Sequence, residues 1–163
     1  MISRAIEELM SEKKDAMMIP AENVANVMVG NPLEHALLVL SKVGYSKIPV
    51  LDKGDRFIGL LSLNDVVNKM MDLNGIDTKN LSKFTVADVM DTEIDVVKEN
   101  CDLEDIMHLL VDAAFIPVLD DDGIFKGIVT RREILKAVNH TFHELDKKHH
   151  VSGKFVLQPT ASK

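Results

Sequence analysis

Ile48-Pro49-Val50-Leu51-Asp52, followed by Gly59, is repeated as Ile116-Pro117-Val118-Leu119-Asp120, followed by Gly127 at the same interval. A matched spacing between an uncommon dipeptide and a distant glycine marks two copies of one folding unit. Working outward, the first copy continues as Gly59-Leu60-Leu61-Ser62-Leu63-Asn64-Asp65 and the second as Gly127-Ile128-Val129-Thr130-Arg131-Arg132-Glu133. Each therefore ends in a hydroxyl residue with an acid three positions on, the signature of a capped helix start. The repeat predicts an α/β (α+β) domain of two units, each β-α-β-β-α, related by a pseudo-twofold axis with clefts between them.

Upstream, Asn31-Pro32-Leu33-Glu34 predicts a helix with Asn31 as cap, Pro32 in the first turn and Glu34 reaching back to the cap. Its apolar periodicity runs through Ala36, Leu37, Leu40 and Val43 to a terminating Gly44. Strands are predicted near Val24 to Val29, over Lys47 to Leu51 and over Arg56 to Leu61, with a turn at Asp52 to Asp55. In the second copy, Thr85 to Met90 resembles a short capped helix. Ile94 to Val97 is expected to be the first strand, Leu103 to Val111 a helix, and Phe115 to Leu119 and Ile124 to Val129 strands. A last helix runs from Thr130 towards Leu145. The domain plan is an N-terminal amphipathic helix (1–15) with Ile6, Leu9 and Met10 on one face, a first repeat (16–71), a polar linker (72–84), a second repeat (85–146) and a tail (147–163) that lacks periodicity.

Composition narrows the function. With 163 residues, 46% of them hydrophobic, the chain is expected to bury one shared core. Cys101 is its single cysteine, which excludes an internal disulfide and fits a reducing, cytoplasmic setting; no secretory signal or membrane-length apolar run is present. A net charge of −7 and the absence of tryptophan argue against a nucleic acid polymer as partner, because neither a basic face nor a stacking platform is available. A small anion held by a few focused cations remains open.

The residues best placed for such a ligand lie around the Ile-Pro steps and the helix starts. Proline removes a backbone donor and keeps its predecessor extended, so its strand belongs at a sheet edge or beside a cleft. Backbone groups of Tyr45, Ser46, Lys47 and Ile48 are then free to read the edge of an adenine. Thr130 opens a helix whose positive end, with Arg131 and Arg132, suits phosphate oxygens. Ser62 and Asp65 suit ribose hydroxyls and, with Phe115, Ile116 and Pro117, outline a second cleft. His140, His143, Glu144, His149 and His150 invite a metal reading, yet no second cluster closes a site, the last pair lies in the expected tail, and a solvated helix face explains them better. No nucleophile, base and metal constellation supports an enzyme. The methionines, Met17, Met18, Met70, Met71, Met90 and Met107 among them, suit core packing and adaptable contacts.

These features resemble a tandem pair of CBS domains, a Bateman module, over residues 16–138. A closer likeness, over most of residues 1–145, is to the small stand-alone bacterial cyclic-di-AMP-binding CBS proteins of the CbpB or DarB type. It is carried by Val24-Ala25, Val29-Gly30-Asn31, the run Leu33 to Leu40 with His35 inside it, Gly44-Tyr45, the first Ile-Pro strand and Thr130-Arg131-Arg132. The resemblance implies a homodimeric, non-enzymatic sensor with cyclic di-AMP as ligand and no cofactor. Asn23, Val24, Ala25, Tyr45 to Pro49, Thr130, Arg131 and Arg132 would form its site. It further implies that the ligand-free protein regulates a partner enzyme, with (p)ppGpp synthetase/hydrolase, and hence the stringent response, and pyruvate carboxylase as candidates. The alternatives are a sensor of AMP, ADP or ATP, and a scaffold that binds no nucleotide.

Overall fold

The computed structural model describes residues 17–72 and 75–149. The expected N-terminal helix and the tail beyond His149 lie outside the described residues. The first repeat is built from β2 (Val27–Met28), α1 (Leu33–Val43), β3 (Lys47–Leu51), β4 (Phe57–Ser62) and α2 (Leu63–Met70); the second from β7 (Val97–Lys98), α3 (Leu103–Leu109), β8 (Phe115–Leu119), β9 (Phe125–Thr130) and α4 (Arg131–His149). Each is the β-α-β-β-α unit that the repeat predicts. In each, the first strand pairs in parallel with the Ile-Pro strand, which pairs antiparallel with the strand carrying the glycine.

Two crossing segments, one of them a strand outside the plan, explain why the glycines recur. β1 (Met18–Pro20) opens the first repeat in sequence but pairs antiparallel with β9 of the second, giving a sheet of order β1-β9-β8-β7. Reciprocally, the opening segment of the second repeat crosses to the first: Asp91 bridges Leu60 beside the β2-β3-β4 sheet, and Thr85 bridges Pro32. Where each crossing chain passes, a glycine faces it. A Cβ on Gly59 would strike the Asp91 carbonyl, and one on Gly127 the Ile19 carbonyl. The repeats are thus joined by mutual exchange of edge segments.

The chain builds two cores and a seam, where its length predicts a single core. Leu33, Ala36 and Leu40 of α1 pack on Ile48, Val50, Leu61 and Val66 in the first; Val97, Ile106, Ile116, Val118, Val129 and Ile134 form the second with Met17. Burying each large aliphatic side chain contributes about 1.5–3 kcal/mol. Val24, Leu51, Phe125 and Ile128 form the seam, where the Phe57 and Phe125 rings stack 6.2 Å apart. The turns also clasp one another across this seam, with Phe57 N donating to Gly123 O and Phe125 N to Asp55 O.

Several boundaries differ from expectation. α1 begins at Leu33 with Pro32 as its cap; Asn31 Oδ1 instead accepts from Met28 N at 2.8 Å, and the Leu33 N–H finds Phe84 O at the end of the linker. The predicted strand over Val24 to Val29 contracts to Val27–Met28, and that over Ile94 to Val97 shifts to Val97–Lys98. Where the first repeat meets the polar linker, β5 (Met71–Asp72) pairs antiparallel with β6 (Gly75–Ile76), and a 3-10 helix over Thr78–Lys83 buries Leu81 in the first core. α4 continues through Lys147 to His149, into the stretch expected to lack structure. Among the described residues, no helix is long and apolar enough to cross a membrane.

Candidate ligand cleft between the repeats

The cleft follows from an unpaired strand edge. β2 covers only Val50 and Leu51 of β3, so Lys47, Ile48 and Pro49 have β4 on one side and no strand on the other. Pro49 has no N–H to leave unmatched, which lets a buried strand end border a cavity. Opposite stands the beginning of α4, capped by Thr130, whose Oγ1 accepts from Glu133 N at 3.1 Å.

Between them lies a cavity of about 260 Å³. Its apolar walls are Ile19 from the crossing strand β1, Val24 and Ala25, Ile48 and Pro49, and Phe115 with Ile128 from the second repeat. Its polar lining is Ser46, Lys47, Thr130, Arg132 and Glu133, together with Tyr45, which is 54% exposed. An apolar slot with a few grouped polar side chains is the usual form of a small-molecule site, and this one is near the small end of the range, about 300–1,000 Å³. Lys47 and Arg132 supply positive charge. The opposing Glu133 carboxylate is paired with Lys136 at 2.7 Å, so the polar side suits an anion beside the positive end of α4. The slot accepts a flat apolar group against the open β3 edge and an anionic group towards Arg132.

Of the residues expected at the ligand, Val24, Ala25, Tyr45, Ser46, Lys47, Ile48, Pro49, Thr130 and Arg132 line this one cavity. Asn23 does not; it is exposed at the end of a 3-10 turn, Ala21–Asn23. Arg131 does not either: its guanidinium is held by the carbonyls of Leu110, Val111 and Ala113. Sequence reasoning missed Ile19, which reaches the cleft only through the strand exchange, and Ala114, Ile128 and Glu133. Ala114 was legible as the counterpart of Ser46, and Glu133 as the acid of the Thr130 helix start.

The expected second cleft is not one site. Ser62 and Asp65 border a wide groove with Ser46, Lys47 and Val89 to Asp91, whereas Phe115 faces the main cavity and Ile116 and Pro117 are buried beside it. The Ser62 and Asp65 side chains are engaged with each other as the capping box of α2: Asp65 Oδ2 accepts from Ser62 N at 3.0 Å and from Ser62 Oγ, and Ser62 Oγ accepts from Asp65 N at 3.1 Å. A smaller cavity of about 110 Å³ within the second core, beside Cys101, is lined mostly by apolar side chains. Among the described residues, no group of three or more His, Cys, Asp and Glu side chains is arranged to hold a metal ion.

Comparison with known proteins agrees with this architecture. The sequence profile of the CBS domain matches residues 6–72 and 86–140. The chain is 40% identical over 147 residues to the cyclic di-AMP receptor B of Bacillus subtilis (strain 168), covering 90% of this chain and 100% of that protein. It superimposes on the crystal structure of Listeria monocytogenes CbpB in complex with c-di-AMP with a TM-score of 0.75 and 47% identity, over 81% of this chain and 98% of that one. CbpB from Streptococcus agalactiae gives a TM-score of 0.81 at 29% identity, over 94% and 96% of the two chains. With both repeats matched, and the exchanged sheets framing one cleft, the chain belongs to the CBS domain family.

Proposed function

We propose that this protein is a cyclic di-AMP receptor that binds the dinucleotide in the cleft between its repeats and performs no catalysis. The observation that carries the reading is the juxtaposition, in one cavity, of an open Ile-Pro strand edge and Arg132 at the start of α4. Adenine fits against the β3 edge and the apolar walls, where backbone groups of Tyr45 to Ile48 recognise its polar edge. Phosphate is held by Arg132, whose planar fork matches two phosphate oxygens. A similar protein is named a cyclic di-AMP receptor, and a similar structure contains c-di-AMP; both support the ligand class.

The ligand touches both repeats, so it favours the relative arrangement in which Ile48 and Arg132 are correctly spaced. In this reading the protein acts as a homodimer, and its ligand-free form engages a partner enzyme that cyclic di-AMP releases. The candidates are a (p)ppGpp synthetase/hydrolase and pyruvate carboxylase. A thermal-shift series with cyclic di-AMP, cyclic di-GMP, AMP and ATP tests the ligand, because a ligand bound only by the native state at about 100 times its Kd adds about 2.7 kcal/mol of stability. Stabilisation by cyclic di-AMP above the other nucleotides supports the reading. An equal or larger response to AMP or ATP assigns the cleft to mononucleotides, and no response to any of them leaves a scaffold.

A further inference from the structure

The two repeats end their first helices by different means. α1 closes on Gly44 in the left-handed conformation, φ 70°, with its N–H donating to Leu40 O. The spacing that carries Pro49 onto Pro117 carries Gly44 onto Asp112 and Leu63 onto Arg131. Asp112 is not among the described residues with positive φ, so the second repeat lacks the glycine closure. The last carbonyls of a helix have no partner within it and carry partial negative charge. In the second repeat the backbone takes up His108 O and Leu109 O, through Val111 N and Ala113 N, both at 3.2 Å, and a side chain holds the carbonyls just beyond α3. Arg131 Nε donates to Leu110 O at 2.9 Å, and Nη2 donates to Val111 O at 3.1 Å and Ala113 O at 3.0 Å.

A backbone bond common to both repeats completes the arrangement. Leu63 N donates to Ser46 O in the first, and Arg131 N donates to Ala114 O in the second. Four bonds from one residue thus fix the segment from Leu110 to Ala114. That segment leads directly to Ala114 and Phe115 on the cleft wall, and the next residue after Arg131 is Arg132, which lines the same cleft.

Resting on the ligand reading above, we infer that Arg131 is a positioning residue for the cleft: in a repeat without the glycine closure it pins the turn that follows α3 and thereby sets the wall at Ala114 and Phe115 relative to Arg132. Its contribution to ligand affinity is made through this wall, with its own guanidinium occupied by carbonyls. A glycine at position 112 permits the left-handed turn that Gly44 makes in the first repeat, a second way of fixing this segment that makes the role separable from direct contact.

The test compares the full-length wild type with Arg131→Gln, Arg131→Gln/Asp112→Gly and Arg132→Gln. Amide hydrogen exchange over 110–115 is followed in the free protein, and cyclic di-AMP affinity is measured by calorimetry. Arg131→Gln is expected to speed exchange over this segment and weaken binding roughly tenfold, within the range of couplings between connected sites. Adding Asp112→Gly is expected to recover both, while Arg132→Gln weakens binding with exchange unchanged. Should Arg131→Gln fold poorly, Arg131→Lys, which keeps the charge and loses the fork, is expected to show the same paired defect. Weakened binding with unchanged exchange, or a defect that the glycine does not recover, would mean direct ligand contact or a purely local role and would overturn the inference. So would wild-type values for both readouts. If the wild type itself does not bind cyclic di-AMP, the receptor reading falls, while exchange over 110–115 and its recovery by glycine still judge the clamp.

Discussion

Gly59 and Gly127 show how a single residue records the architecture. Each lies where the backbone of a chain segment crossing from the other repeat passes too close for any side chain. A methyl group there meets a carbonyl fixed by strand pairing, and overpacking of this kind costs about 1–3 kcal/mol. Gly127→Ala is therefore expected to lower the urea unfolding midpoint clearly, whereas Gly30→Ala, with nothing within 4 Å of the added carbon, is expected to leave it close to wild type. The glycines were legible in the sequence as marks of a repeat. Their cause was not, because it depends on which distant segment pairs with which strand. The same limit explains Arg131 and Arg132: adjacent on a helix start, they point about 100° apart, and only the position of α3 decides that one clasps carbonyls and the other lines the cleft.

Among the elements, helices and Ile-Pro strands were the most legible, and short strands the least. β3 and β8 follow their predicted bounds because both faces pack into cores, fixing their register. The extended tendency of Val24 to Val29 outruns β2 because pairing stops where the cleft opens along β3. The capping box of α2 was also readable, and it sets a test: Ser62→Ala is expected to lose about 1 kcal/mol of stability in urea titration. The matching box at Thr85 and Asp88 adds a pH dependence. Hydrogen bonds from the Thr85 N–H and hydroxyl hold the Asp88 carboxyl below its ordinary value of 3.8. A lowered folded-state pKa means that the contribution is full above the ordinary value and is lost as acidification passes through the folded one. The stability difference between wild type and Asp88→Asn is thus expected to be present at about pH 6 and to shrink towards about pH 2.5. A difference unchanged across that range would contradict this origin.

For the whole molecule, exchange of edge segments matters more than the existence of two cores. The second sheet takes its edge strand from the start of the first repeat, and the first core takes Leu81 from the linker and Val86 from the start of the second repeat. Neither repeat is complete without the other. Calorimetry is therefore expected to show one unfolding transition with equal calorimetric and van't Hoff enthalpies. Two separable transitions would contradict the interlocked description. The sequence made the repeat, the β-α-β-β-α order and most of the cleft legible, because these rest on local signals that occur twice. Ile19 and the split of the expected second cleft were not legible, because both depend on how the two units are placed against each other.

The most direct test of the central claim is isothermal titration of the wild type and Arg132→Ala with cyclic di-AMP, beside cyclic di-GMP, AMP and ATP. Saturable binding selective for cyclic di-AMP is the expected result. In Arg132→Ala that binding is weakened about tenfold or more, as expected when hydrogen bonds to a charged group, worth about 1.5–3 kcal/mol, are removed. Absence of binding, a preference for AMP or ATP, or an Arg132→Ala variant that binds like the wild type would contradict it.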